Sequence, residues 1–324
     1  MTELTVGRRG FLLAGGVAAA AISASPAVAK MMTPQDAIRR WRQMPVMPLW
    51  PQGTPEGGFK AQKLPGDWPA FFLRNTDQPE LRIFRPEKPN GRALLVMPGG
   101  AYTFVSIGNE GLDIADRMTA KGYTVFVLSY RLPGEGWGHR EDVPLQDAQR
   151  AMRLIRANAA KFGVDPAQVY AVGFSAGGHL AASLETAFDE DVYDPRDAAD
   201  RQSARPAAVG LIYPVITHTP GIGHVESSLQ LLGENPDLMV INRRSPAYHV
   251  TDKTPPTFLV HALDDPAVSP DNSLIMMQAL RAAKRLCEAH FFEEGGHGFG
   301  PGDPALPVHS WIDLFAAWLD RQAG

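Results

Sequence analysis

The chain has one cysteine, Cys287, so no disulfide can close within it and no cysteine-rich zinc site can be built. It has no surplus of basic charge: 31 Lys and Arg stand against 35 Asp and Glu, for a formal net charge of −4. That excludes a binder of nucleic acid through its phosphates, which needs a basic surface. Long hydrophobic runs are missing too. The apolar stretch near the N-terminus covers about 12 residues, short of a membrane span, and no stable membrane insertion is expected. No internal repeat and no long linker appears. What is plentiful is proline and glycine, 28 and 31 among 324 residues, which implies many sharp connections. Apolar residues make up 44%, too many for a disordered chain. The length admits one large α/β domain or two small ones.

The first residues read as an address. Arg8-Arg9 precedes Phe11-Leu12-Leu13, and Ala27-x-Ala29 is a small-residue cleavage pattern. The paired arginines resemble a twin-arginine export signal, read over residues 1–29. The alternative is an uncleaved anchor. A lipoprotein is excluded, because no cysteine lies near the cleavage point. The implied place is the periplasm or beyond. Twin-arginine export moves folded proteins, and a disulfide-free chain suits that route.

Residues 30–80 are rich in Pro, Gly and Trp, and read as an N-terminal extension wrapping a catalytic domain of residues 81–324. Apolar runs predict strands at 81–84, 93–97, 123–129, 169–174, 207–212, 257–261 and 287–292. Helices are predicted at 110–121, 144–162, from 176 onward, near 227–232, at 273–283 and at 309–321. In the second of these, Leu145, Ala148, Met152, Ile155, Ala159 and Phe162 recur at spacings of three and four. The alternation argues for a mostly parallel central sheet with helices on both faces.

Gly173-Phe174-Ser175-Ala176-Gly177 fits G-x-S-x-G between a predicted strand and a predicted helix, the context that motif requires. A tight strand-to-helix turn pushes its serine out of the sheet, and the helix N-terminus behind it favours developing negative charge. A plain glycine-rich turn is the rival reading. Serine alone is a weak nucleophile and needs a base and an orienting acid. Asp264 and Asp265 follow the strand at 257–261, and Gly295-Gly296-His297-Gly298 follows that at 287–292. Ser175, Asp265 and His297 thus stand in Ser…Asp…His order. Spacing to Val268 favours Asp265 over Asp264, which would cap its loop. His261 and His290 fall within strands, and His179 follows the serine turn with a capping or packing role. Backbone N–H donors for an oxyanion are expected from Ala176 and from Gly100 and Ala101 in Pro98-Gly99-Gly100-Ala101-Tyr102. Arg131 and Asp147 read as a structural ion pair, and the acidic stretch 189–200 as a solvated loop.

Together these residues resemble the α/β-hydrolase serine esterases, within them the bacterial acetyl esterase and acetylxylan-esterase-like branch. Met97-Pro98-Gly99-Gly100-Ala101-Tyr102, Ser129-Tyr130-Arg131-Leu132-Pro133, Pro144-Leu145-Gln146-Asp147-Ala148 and Gly173 through Leu180 carry the likeness. So do Ser245-Pro246-Ala247-Tyr248-His249-Val250, Asp264-Asp265 and Gly296-His297-Gly298-Phe299. The resemblance implies the α/β-hydrolase fold with a small cap insertion, and hydrolysis of short acyl esters on plant cell-wall sugars, without cofactor or metal. The substrate would be a small ester or an esterified oligosaccharide. A promiscuous short-chain carboxylesterase, a small peptidase or a silent binding protein on the same scaffold are the alternatives. The insertion between Tyr213 and Thr257 is too short for a large hydrophobic lid. Tyr102 is a candidate wall of the acyl pocket. Trp137, flanked by glycines, is a candidate sugar platform, unless it packs onto the domain.

Overall fold

The computed structural model describes residues 33–322. The export signal expected over residues 1–29 lies outside the described residues. The described chain opens on α1 (Pro34–Gln43), which Thr33 starts by accepting the Asp36 N–H on its hydroxyl at 3.1 Å. Strands β1 (Val46–Pro48), β2 (Phe72–Leu73), β3 (Glu80–Phe84), β4 (Ala93–Met97) and β5 (Val105–Ser106) follow. Next come α2 (Asp113–Thr119), β6 (Thr124–Ser129), α3 (Val143–Ala157), α4 (Ala159–Phe162), β7 (Val169–Phe174) and α5 (Ser175–Thr186). The rest is β8 (Val209–Ile212), α6 (Val225–Leu232), α7 (Leu238–Arg243), β9 (Thr257–Ala262), α8 (Asp271–Ala282), β10 (Cys287–Phe292) and α9 (Trp311–Gln322). No described helix is long and apolar enough to cross a membrane.

Eight strands form one sheet in the order β1-β3-β6-β4-β7-β8-β9-β10. It is parallel from β6 to β10 and antiparallel at β1–β3 and β3–β6. Strands β4, β6, β7, β8 and β9 are buried at every residue, which is why they read as unbroken apolar runs: covered on both faces, they have no need to alternate. Helices α2, α5, α8 and α9 pack against them. In the parallel register Met97 pairs with Gly173, Phe174 with Ile212, and Ala262 with Phe292, so the loops after these strands emerge side by side.

Several expectations change. The segment 46–48 is an edge strand of the main sheet, so residues 30–80 do more than wrap the domain, and β2 and β5 form a second, antiparallel pair. The helix expected at 110–121 begins as a wide π turn, Gly108–Leu112, in which the Leu112 N–H reaches the Ile107 carbonyl at 2.9 Å. The helix expected at 144–162 breaks at Asn158, whose side-chain amide donates to the Leu154 carbonyl at 2.9 Å and competes with the backbone ladder. The cap insertion holds two α-helices rather than one. The second, α7, is six residues long; its apolar Leu238, Met239, Val240 and Ile241 run consecutively rather than at helical spacing and none is buried, so its visible signal is Asp237 capping the Val240 N–H at 2.9 Å. The acidic stretch 189–200 is not simply solvated. Asp197 and Asp200 both pair with the buried Arg150, and Glu190 pairs with Arg243 and Arg244.

Glu185 on α5 is fully buried. One oxygen accepts the Thr257 hydroxyl at 2.8 Å, and the other has no partner among the described residues. Burial pushes its pKa well above the ordinary carboxylate value, against the Thr257 hydrogen bond and the Arg205 charge that lower it. A carboxyl whose pKa is raised by folding stabilises the fold below its unfolded pKa, and that contribution is lost as pH rises. Glu185→Gln is therefore expected to raise Tm at about pH 8 and to leave it nearly unchanged at about pH 4. Thermal scans at both values decide, and a lower Tm at the higher pH contradicts the assignment.

Candidate active site

Ser175 sits where β7 turns into α5, at φ 52°, the left-handed region that a side chain rarely adopts. Close approach enforces this turn. A Cβ on Gly173 would lie 2.1 Å from the Gly177 carbonyl oxygen, and one on Gly177 would lie 2.1 Å from that of Met97. The turn is thereby pressed onto the end of β4, and Ser175 is left 5% exposed.

His297 comes from the loop after β10 and Asp265 from the loop after β9. His297 Nε2 lies 2.9 Å from Ser175 Oγ, and Nδ1 lies 2.7 Å from an Asp265 carboxylate oxygen. A carboxylate only accepts, so Nδ1 carries the proton and Nε2 is free to accept from the serine hydroxyl. The other Asp265 oxygen accepts the N–H groups of Ala267 and Val268, each at 2.9 Å. Burial alone would raise this carboxyl. Hydrogen bonds from His261 and His297 and the Val268 N–H outweigh it and hold Asp265 well below the usual carboxylate range. Asp264 does not meet His297; it accepts the Gly296 N–H at 2.8 Å and ties down the base loop. His261 is buried, as expected for a strand residue, but it also stands 3.3 Å from Asp265.

The loop after β4 winds through three successive positive φ values, at Gly100, Ala101 and Tyr102. The N–H groups of Thr103 and Phe104 close it onto the Gly100 carbonyl at 2.8 and 3.1 Å. It lies against the serine turn: a Cβ on Gly99 would come within 2.9 Å of Ser175 Cβ. Among the described residues, nothing accepts a hydrogen bond from the N–H of Gly100, Ala101 or Ala176. The arrangement can therefore offer donors to an anion beside Ser175.

The two residues expected to touch substrate are turned inward. Tyr102 is 1% exposed, and its hydroxyl donates to His179 Nδ1 at 2.7 Å, so it braces the loop from beneath rather than walling a pocket. Trp137 is 7% exposed, packed at a tilt against Phe59 with ring centroids 5.2 Å apart and with the Arg131 guanidinium 5.1 Å over its ring, so it presents no platform. His179 does pack, though with more partners than expected. Its Nε2 donates to the Arg244 carbonyl of the cap at 2.7 Å and lies 3.0 Å from His218 Nε2. Burial pushes His179 down to about 4 and His218 well below its ordinary value, so the pair is neutral. Two further neighbours of the site carry no sequence signal. Tyr213, at the end of β8, sets its ring 5.0 Å from that of His297. Glu110, in the π turn, is buried among groups its sequence neighbours do not reveal.

A mostly parallel sheet that delivers serine, aspartate and histidine in that chain order from β7, β9 and β10 makes this an α/β-hydrolase-fold protein. The BD-FAE family profile matches residues 81–280, and the chain belongs to that family. It is similar to an acetylxylan esterase of Xylanibacter ruminicola, 32% identical over 236 residues, covering 71% of this chain and 45% of that one. The endo-1,4-β-xylanase B of Butyrivibrio fibrisolvens is 38% identical over 206 residues, covering 63% of this chain and 32% of that one. The chain thus spans less than half the length of these two relatives. A solved structure, the acetyl ester-xyloside bifunctional hydrolase of Caldicellulosiruptor lactoaceticus, superposes with TM-score 0.70 at 35% identity, over 83% of this chain and 97% of that one.

Proposed function

We propose that the protein is a serine esterase that removes short acyl groups, above all acetyl, from plant cell-wall carbohydrate such as xylan. The observation that carries the reading is the unbroken relay from Ser175 Oγ to His297 at 2.9 Å and on to Asp265 at 2.7 Å. His297 takes the Ser175 proton as Oγ bonds to the acyl carbon. Asp265 holds the imidazole in the required tautomer. The N–H groups of Gly100, Ala101 and Ala176 receive the oxyanion. His297 then protonates the departing alcohol and activates the water that releases the acid. The carbohydrate part of the proposal rests on the acetylxylan esterase and the xylanase among the relatives. Export forms part of the same proposal, on the strength of Arg8-Arg9 and Ala27-x-Ala29.

The test compares acetate release from acetylated xylan with hydrolysis of nitrophenyl esters of rising chain length. The expected result is acetate from the polymer and a kcat/KM that is greatest at the acetyl ester. A maximum at butanoate or longer, with no acetate from the polymer, overturns the carbohydrate reading and leaves a short-chain carboxylesterase. The esterase LipC of Mycobacterium tuberculosis, 27% identical over 268 residues, is a relative in that direction.

A further inference from the structure

The π turn Gly108–Leu112 holds a buried acid that the hydrolytic mechanism does not use. Such turns occur frequently at functional sites. One Glu110 carboxylate oxygen accepts the Gly99 N–H at 2.7 Å, and the other accepts the Tyr213 hydroxyl at 2.9 Å. The Tyr213 oxygen in turn accepts the N–H of Gly300, three residues beyond His297, at 3.1 Å. Next to Glu110, the Asn109 side-chain amide donates to the Gly298 carbonyl at 2.8 Å. One turn of backbone therefore grips both the loop that leads to Gly100 and the loop that carries His297.

The hydrogen bonds also bear on the charge. Both oxygens accept, and a protonated carboxyl would have to reverse its bond to Tyr213, leaving that hydroxyl, which already accepts from Gly300, with no acceptor in this network for its own hydrogen. Burial raises the Glu110 pKa, while the Gly99 N–H, the Tyr213 hydroxyl and the charge of His297 pull it down. The titratable groups facing Glu110 are Tyr130, Tyr213 and His297. His297 is faced in addition by Asp265 and His224, and Asp265 by His261. Behind the turn, α1 and α2 present Arg40 paired with Asp116, and Asp113.

We propose that Glu110 is a positioning residue, whose carboxylate joins the 99–101 loop to the His297 loop and whose negative charge supports the imidazolium formed as His297 takes the Ser175 proton. The inference rests on the serine-esterase reading of the site. Glu110 exchanges no proton itself: the proton passes from Ser175 Oγ to His297 Nε2 while the Oγ–carbon bond forms.

The experiment is Glu110→Gln in the full chain, assayed on 4-nitrophenyl acetate across pH, with circular dichroism to measure the folded fraction. The expected result is a kcat lowered about 100-fold, as for small misplacements of a reacting pair, with KM nearly unchanged. The acid limb of the pH–rate profile should move to lower pH, because the imidazolium has lost a neighbouring negative charge. Tyr213→Phe removes the hydroxyl link but keeps the charge, so its kcat should fall while the acid limb stays in place. A folded Glu110→Gln protein with wild-type kcat and acid limb overturns the proposal. So does a loss of activity that tracks the unfolded fraction while the acid limb stays put, since that is a structural role only. If Glu110→Gln does not fold, a wild-type kcat in Tyr213→Phe overturns it equally. A Ser175→Ala control separates the two levels. Activity surviving in that control defeats the serine-esterase reading, whereas an inactive control beside a wild-type Glu110→Gln defeats the Glu110 inference alone.

Discussion

Ser175→Ala is expected to lower kcat for 4-nitrophenyl acetate by a factor on the order of 10⁶, the scale on which loss of a relay nucleophile acts. The size follows from how the relay works as a unit. Without Oγ, His297 has no proton to take, and the N–H groups of the 99–101 loop have no covalent intermediate to hold. The fold should survive, because Ser175 owes its φ of 52° to the packing of Gly173 and Gly177 rather than to its own side chain. The measurement is a rate on purified protein, with wild type and variant both treated with a fluorophosphonate probe. The wild type should be labelled at Ser175 and the variant should not. Hydrolysis that persists in an unlabelled variant would remove Ser175 from the chemistry.

The second large effect concerns stability. Arg131 and Asp147 are both fully buried and meet at 2.8 Å. Asp147 also accepts the Arg131 backbone N–H at 2.8 Å and the Trp50 indole N–H at 2.7 Å, so it fastens the N-terminal segment to α3. Asp147→Ala would strand a buried guanidinium whose other partner is Gln146. Breaking one side of such a pair costs about 3–5 kcal/mol. Domains have only about 5–15 kcal/mol in total, so the variant should unfold at far lower urea than wild type. A midpoint within error of wild type would mean that the pair is not the anchor its geometry suggests. Replacing both partners with apolar residues should cost much less, because the stranded charge, not the lost attraction, dominates.

The central sheet was legible because burial on two faces writes itself into the sequence. The runs at 93–97 and 169–174 coincide with β4 and β7, which are buried throughout; the run at 287–292 coincides with β10, an edge strand that is only half-buried. The positions of Ser175, Asp265 and His297 were legible for a related reason: parallel strands end on one edge, and glycine-rich loops there mark close approach. Other features depend on partners distant in the chain. Strands β1 and β2 are three and two residues long and exist because β3 and β5 pair with them. Trp137 between glycines looks exposed locally, and Phe59 with Arg131 buries it. Tyr102 follows two small residues and invites the same reading, until His179 from α5, 77 residues on, takes its hydroxyl. Glu110 stands in the polar, glycine-rich turn Gly108-Asn109-Glu110-Gly111, where an acid reads as solvated, so nothing local marks it as buried. Its partners, Gly99 and Tyr213, come from opposite sides of the site.

The neutral histidine pair has a consequence for the cap. His179 lies four residues beyond Ser175, and through it α5 holds the Arg244 carbonyl and touches His218. Folding keeps both rings unprotonated, whereas in the unfolded chain they take up protons near their ordinary value of 6.5. Protons therefore act here as a ligand of the unfolded state. The stability this joint contributes is whole above that ordinary value and drains away as the pH falls from there toward about 4. Acid would loosen the contact between cap and nucleophile helix, while the Arg131–Asp147 pair has no histidine through which to feel it.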